Sequence, residues 1–246
     1  MSVRRTTDLI NLRIMEKTEK VFPEETRLLM ASLNFMRRIT GIADQAVSEF
    51  DKQPDLRATM DLFCRNRDLV HFSIVCTVNG GYPETKILSR VALENFMLIR
   101  FFNLKPSLAK DWFSDPEVFR EKWPPKEIRK AVFAEIPKRI HNYSSFYWLL
   151  CDYSHPSFKG WIELMKKKEN GIYIRWHPEF NSDYASECIG LICWITLQST
   201  TGYMRAFKKW LTPGLVLEAD KLMPKIFEMV TRHFEVRIYD KRKMID

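Results

Sequence analysis

Glycine is scarce in this sequence, with only eight among 246 residues. Rossmann and P-loop sites need glycine-rich loops, because glycine lets the backbone approach phosphate groups closely. The chain contains no such loop, no Gly-x-Ser-x-Gly elbow and no His-x3-His or Glu-x2-His pair at metal-ligand spacing. These absences argue against nucleotide-binding enzymes of those folds and against a zinc site. We expect neither a cofactor nor a metal.

Long apolar runs are also missing. The longest, around 189–197, is far shorter than the roughly 20 residues that a membrane span needs. Residues 1–20 carry charges throughout, so we expect no signal peptide. The five cysteines form no Cys-x-x-Cys pair, which favours a reduced, cytoplasmic setting. The sequence therefore predicts a cytoplasmic protein that does not associate with membranes.

The net charge of +8 can attract RNA or another polyanion. The lysines and arginines are spread along the chain, however, and short clusters occur only at 166–168 and 241–243. This distribution is more typical of a solvated surface than of a nucleic-acid groove. The sequence therefore leaves two kinds of partner open, RNA and another protein.

Apolar residues recur at helical spacing along most of the chain. The pattern predicts helices over 6–20, 24–50, 55–78, 86–104, 138–154, 182–211 and 215–239. Prolines divide 105–135 into short helices and turns. Alternating apolar residues after Asn170-Gly171 predict a small β-hairpin or extended flap near 161–177, in a flap region that reaches residue 180. We predict one all-α domain over 1–246, a bundle of about six main helices.

The stretch 86–104 is apolar on nearly every side, as is typical of a buried helix. Arg90 and Glu94 lie in its middle, four residues apart, so they share one face and can form an ion pair. On a helix surface, an ion pair with Arg four residues before Glu stabilises the helix less than the reverse order does. Stabilisation of a surface helix therefore does not explain the pair. Two interpretations stay open: a structural ion pair that orients neighbouring helices, or a polar site inside the bundle.

A second polar segment runs from Tyr147 to Ser157 and contains His155, which precedes a proline and is therefore placed in a turn. Glu94 could hydrogen-bond to His155, with Arg90 holding the carboxylate ionised. Such a histidine could act as a general acid or base near neutral pH. The supporting residues of this hypothesis are Tyr147, Asp152, Ser154 and Ser157. The alternative is that His155 only anchors the turn after its helix.

A family resemblance is carried by Arg90, Glu94, Tyr147, Ser154, His155 and Ser157. With these residues the chain resembles an uncharacterised bacterial family of all-α proteins, a domain of unknown function. Its members pair Arg-x3-Glu on a buried helix with a downstream Tyr, a Ser, and a His followed by Pro or Gly and Ser. The resemblance spans roughly residues 80–160. It implies a bacterial all-α protein and supplies no established activity.

The segment 65–71, Arg-Asn-Arg-Asp-Leu-Val-His, is similar to the active-site motif of HEPN ribonucleases. In those helical proteins, the Arg and His of paired subunits cleave RNA without metal. The resemblance implies a homodimer in which His71 moves the proton of the ribose 2′-hydroxyl and Arg65 holds the phosphate. The motif is predicted in mid-helix, whereas that family usually carries it near the last core helix. The alternative is a solvated helical turn with a half-buried His71.

The sequence favours a binding or interaction module with a polar cluster in its core. The first alternative is a metal-independent, HEPN-like ribonuclease that uses Arg65 and His71. The second is a hydrolase that uses Glu94 and His155. A helical bundle hosts many functions, so the fold class by itself does not decide among them.

Overall fold

The computed structural model describes residues 3–134, 150–151, 165–168, 171–174 and 178–242. Its α-helices are α1 (Val3–Val21), α2 (Pro23–Thr40), α3 (Ala43–Ala46), α4 (Pro54–Val78), α5 (Tyr82–Leu104), α6 (Leu108–Ser114), α7 (Pro116–Lys122), α8 (Pro125–Ala134), α9 (Ser182–Ala206) and α10 (Pro213–Arg242). The protein is all-α, as predicted. The described helices outnumber the roughly six main helices that were predicted. The short helices of 105–135 were predicted but are not main helices, and α3 falls within the single helix predicted over 24–50.

Two short strands lie within the segment for which the sequence predicts a hairpin or flap. They are β1 (Met165–Lys168) and β2 (Gly171–Ile174). The strands pair antiparallel, with Met165 opposite Ile174 and Lys168 opposite Gly171. The predicted helix 138–154 lies outside the described residues, apart from 150–151, which are helical.

The predicted helix 24–50 is wrong, because α2 ends at Thr40. The backbone N–H of Gly41 turns back to the carbonyl of Arg38 at 3.2 Å. Glycine costs about 1 kcal/mol relative to alanine inside a helix, so the chain breaks readily at this point. Helix α3 and a 3-10 turn at Val47–Glu49 follow. Buried alanines in α3 continue the apolar spacing across the break, which is why periodicity alone predicts one helix.

The proline-rich segment forms α6, α7 and α8, which confirms the predicted series of short helices. Asp115 caps α7, because its carboxylate accepts a hydrogen bond from the backbone N–H of Val118 at 3.0 Å. Aromatic residues hold these helices against α5. The ring of Trp112 lies 5.5 Å from Phe102, and the ring of Trp123 lies 5.1 Å from Phe101.

Helices α4 and α5 pack along each other, and α9 covers both of them. Gly80 adopts a φ of +80° in the turn between α4 and α5, which agrees with the predicted end of a helix at residue 78. Gly202 lets α9 approach α5 closely, because a Cβ there would lie 3.0 Å from a methyl group of Ile99. None of the described helices is both long enough and apolar enough to cross a membrane.

Candidate ligand-binding cleft

A cleft of about 240 Å³ lies where α4 and α5 meet the short helices α6, α7 and α8. Arg65 from α4 and Glu94 from α5 both line it. The sequence assigns these two residues to separate hypotheses, and the fold brings them to one place. The other lining residues are Val91, Asn95, Met97, Leu98, Trp112, Pro116, Phe119, Arg120, Trp123, Pro125, Ile128 and Arg129.

Arg90 and Glu94 form the predicted ion pair on α5. Arg90 donates from Nε to Oε1 of Glu94 at 3.2 Å. The side chains are 18% and 39% exposed, so the pair lies at the edge of the core rather than inside it. The pair is therefore more exposed than the apolar pattern of its helix indicated. The helix is not apolar all round, because its Arg90–Glu94 side faces the cleft and solvent.

The charge of the cleft is predominantly positive. Among the described lining residues, three are arginines, Arg65, Arg120 and Arg129, and one carries a carboxylate, Glu94. Arg90 already pairs with that carboxylate. Guanidinium groups bind carboxylate and phosphate oxygens through two parallel hydrogen bonds. The cleft therefore favours an anion.

The floor and walls of the cleft are largely aromatic. Trp112, Phe119 and Trp123 line it, and their rings pack on Phe101 and Phe102 behind them. The indole Nε1–H of Trp123 is buried and has no acceptor among the described residues. Such a donor is costly to leave unpaired. The cleft thus combines flat apolar walls with a hydrogen-bond donor.

A buried hydrogen-bond network supports the cleft from below. Asn95 lines the cleft and donates from Nδ2 to Oδ1 of Asn66 at 2.9 Å. Asn66 donates in turn to the carbonyl of Ala92 and to Oγ of Ser199, both at 2.9 Å. Asn66 is fully buried, so the interpretation of this segment as a solvated turn is wrong for this residue. The network ties α4, α5 and α9 together at the cleft.

Arg65 and His71 do not meet within one chain. Six helical residues separate them by about 9 Å along the axis and about 120° around it. Arg65 is exposed at the cleft. His71 is half-buried, as predicted, with its ring 5.6 Å from that of Phe72. A ribonuclease site with both residues would therefore need the second copy that the HEPN resemblance implies.

The remaining predicted site residues lie outside the described residues: Tyr147, Asp152, Ser154, His155 and Ser157. The hydrogen bond between Glu94 and His155 stays a prediction for the same reason. Among the described residues, no group of three or more histidines, cysteines and acidic residues could hold a metal ion.

A buried ion pair that was not predicted from the sequence joins α5 to α9. Lys86 Nζ lies 3.2 Å from Oε2 of Glu187, and the two side chains are 0% and 9% exposed. The ring of Tyr184 lies 5.2 Å from the ammonium group. Lys86 lies one turn before Arg90 on α5, at a position that is fully buried. Nothing in the sequence pointed to Glu187 as the partner of Lys86.

Comparison of the chain with protein-family models, with curated proteins and with solved structures finds no match. The resemblances to the bacterial all-α family and to HEPN ribonucleases therefore stay predictions that rest on short motifs. The function has to be argued from the cleft itself.

Proposed function

We propose that the protein is a binding module that holds a small organic anion with a flat ring in the cleft. One observation carries the proposal: three arginines and three aromatic side chains converge on a single concavity, where Glu94 is the one acid among the described lining residues and is already paired. Arginines bind the anionic group, and aromatic rings bury the flat part of the ligand. An acceptor atom on the ligand can also accept a hydrogen bond from the indole N–H of Trp123.

The size of the cleft limits the ligand. Its volume of about 240 Å³ is just below the range of roughly 300–1,000 Å³ that is typical of sites for drug-sized molecules. A single aromatic acid or a mononucleotide portion matches this size better than a long chain does. The supporting network of Asn66 and Asn95 holds α4 and α5 in fixed positions, which favours a site that exists before the ligand binds.

The direct test is thermal unfolding in the presence of matched ligands. The anions are benzoate, indole-3-acetate and adenosine monophosphate, and the controls are benzamide, indole-3-acetamide and adenosine. We expect at least one anion to raise Tm with increasing concentration and its neutral partner to leave Tm unchanged. If no anion raises Tm, or if the neutral partners act equally well, the proposal is wrong.

Variants of the arginines locate the site. Arg120→Gln removes a charge from the cleft lining, whereas Arg37→Gln removes one from an exposed position on α2 that does not line the cleft. We expect only the first variant to weaken the anion-dependent shift in Tm. Equal weakening by both would indicate attraction to the overall positive charge rather than binding in the cleft.

The HEPN-like ribonuclease uses one of the same residues and predicts a different outcome. Arg65 lines the cleft, where it could hold an RNA phosphate, but His71 must then come from a second copy. This alternative predicts a dimer and a metal-independent cleavage of RNA that both Arg65→Ala and His71→Ala abolish. A protein that is monomeric and does not cleave RNA excludes it.

A further inference from the structure

A second cluster of polar side chains lies away from the cleft, where α2, α9 and α10 meet. Ser186 Oγ lies 2.6 Å from Nδ1 of His233. On the other side of the same ring, Nε2 of His233 lies 3.5 Å from Oε1 of Glu25. Each helix contributes one of the three residues. None of the three was predicted as a site residue from the sequence, because they are 47 and 161 positions or more apart along the chain.

The three residues differ in their exposure to solvent. Glu25 and His233 are 7% and 6% exposed, whereas Ser186 is only half-buried. Ser186 is therefore the most exposed residue of the three. Arg232 Nη1 lies 3.5 Å from the same carboxylate oxygen and stabilises its negative charge.

The positions of the partners favour one tautomer of His233. A carboxylate next to Nε2 favours a proton on that nitrogen. Nδ1 then carries a lone pair, and its neighbour at 2.6 Å is the hydroxyl group of Ser186, which donates to it. A base within hydrogen-bond reach of the hydroxyl group is what activates a serine. The contact between the imidazole and the carboxylate of Glu25, at 3.5 Å, is an ion-pair distance rather than a hydrogen bond.

We propose that Ser186, His233 and Glu25 form a catalytic site for the hydrolysis of small carboxylic esters. The oxygen of Ser186 attacks the ester carbonyl while its proton passes to Nδ1 of His233. The carbonyl re-forms as the alcohol leaves with that proton, and the acyl group stays on Ser186. Water, deprotonated by His233, then attacks the acyl group and releases the acid, which restores the serine hydroxyl group.

The position of Ser186 also limits the substrate. It is the fifth residue of α9, so the backbone N–H groups at and after it are engaged within the helix. These N–H groups are unavailable to stabilise the oxyanion that forms when the ester carbonyl is attacked. Such stabilisation typically makes a large contribution to the rate. We therefore expect slow turnover that favours aryl esters, whose leaving groups depart readily, over alkyl esters and amides.

Labelling of the unaltered protein with a fluorophosphonate reagent, followed by peptide mass spectrometry, tests the site directly. We expect one adduct, on Ser186, and expect p-nitrophenyl acetate to compete with its formation. The exposed Ser182 near the start of the same helix is the internal control. No adduct on Ser186, or labelling of Ser186 no faster than of Ser182, would overturn the proposal, and this result does not depend on any variant folding.

Variants then separate catalysis from structural support. We expect Ser186→Ala to abolish labelling and Ser182→Ala to leave it unchanged. His233→Gln should slow the labelling of Ser186 by about 100-fold or more, the usual contribution of a general base. A folded His233→Gln variant, with the Tm of the wild type, that is labelled at an unchanged rate would show that the histidine does not activate the serine.

Discussion

Lys86 and Glu187 form an ion pair with a separation of 3.2 Å that joins α5 to α9 in the protein interior. Its exposure contrasts with that of Arg90 and Glu94 one turn further along α5, which are 18% and 39% exposed. The two pairs therefore differ in what they contribute. The buried pair fixes the packing of two helices, whereas the half-exposed pair borders the cleft.

Breaking the buried pair should strongly destabilise the protein. Lys86→Met leaves the carboxylate of Glu187 buried beside an apolar side chain, and the expected loss is about 3–5 kcal/mol in the free energy of unfolding. The double variant Lys86→Met/Glu187→Leu should recover most of that loss, because it leaves no buried charge without its partner. Urea denaturation measures both values. The exposed pair of Arg67 and Asp68 provides the control, since Asp68→Asn should change the free energy by less than about 0.5 kcal/mol.

The half-exposed pair should contribute little to stability. Glu94→Gln keeps the size of the side chain and removes the charge, and we expect a loss of about 0.5 kcal/mol or less because solvent screens the interaction. The same variant should bind cleft anions more tightly, since it removes the negative charge of Glu94 from the lining. A loss of several kcal/mol would contradict this and would identify the pair as structural.

The network beneath the cleft should be sensitive to a single substitution. Asn66→Ala removes three buried hydrogen bonds and leaves Ser199, Asn95 and a backbone carbonyl without that partner. We expect a loss of about 3 kcal/mol or more in the free energy of unfolding. Asn34 is exposed and accepts one long hydrogen bond from Arg37 at 3.4 Å, so Asn34→Ala should be nearly neutral. Similar losses in both variants would be inconsistent with a structural network at Asn66.

The thiol of Cys193 should be chemically inert. Burial, with a smaller contribution from the negative charge of Glu25, raises its pKa from the ordinary value of 9.0 to about 12. Ellman's reagent at about pH 8 should therefore modify the same number of thiols in the native wild type and in Cys193→Ala. One fewer reactive thiol in the variant would contradict this expectation.

The same pKa shift makes stability depend on pH. Below about pH 9 the thiol is protonated in both the folded and the unfolded chain, so its stabilising contribution is fully present. As the pH rises from about 9 to 12, the unfolded chain loses the proton while the folded protein retains it, and the free energy of unfolding falls. Urea denaturation should show a steeper fall over this window for the wild type than for Cys193→Ala.

The sequence by itself determined the helical class and much of the helix placement. Apolar spacing predicts helices wherever the described chain has its long ones, Gly80 marks the end of α4, and the prolines of 105–135 mark three short helices. It also predicts the Arg90–Glu94 pair, since residues four apart on one helix must be neighbours. These are local properties, which depend only on residues within a few turns of each other.

Only the tertiary structure decided which helices are neighbours, and the candidate sites follow from that choice. Arg65 and Glu94 reach one cleft because α4 packs on α5. Lys86 contacts Glu187, and Ser186 lies in one cluster with His233 and Glu25. These residues are far apart in sequence, and helical periodicity relates only residues within a few turns of each other. The end of α2 at Gly41 was not predicted, because the apolar spacing continues past it into α3. Hydrophobic patterning records which face of a helix is buried, but it does not record what that face is buried against.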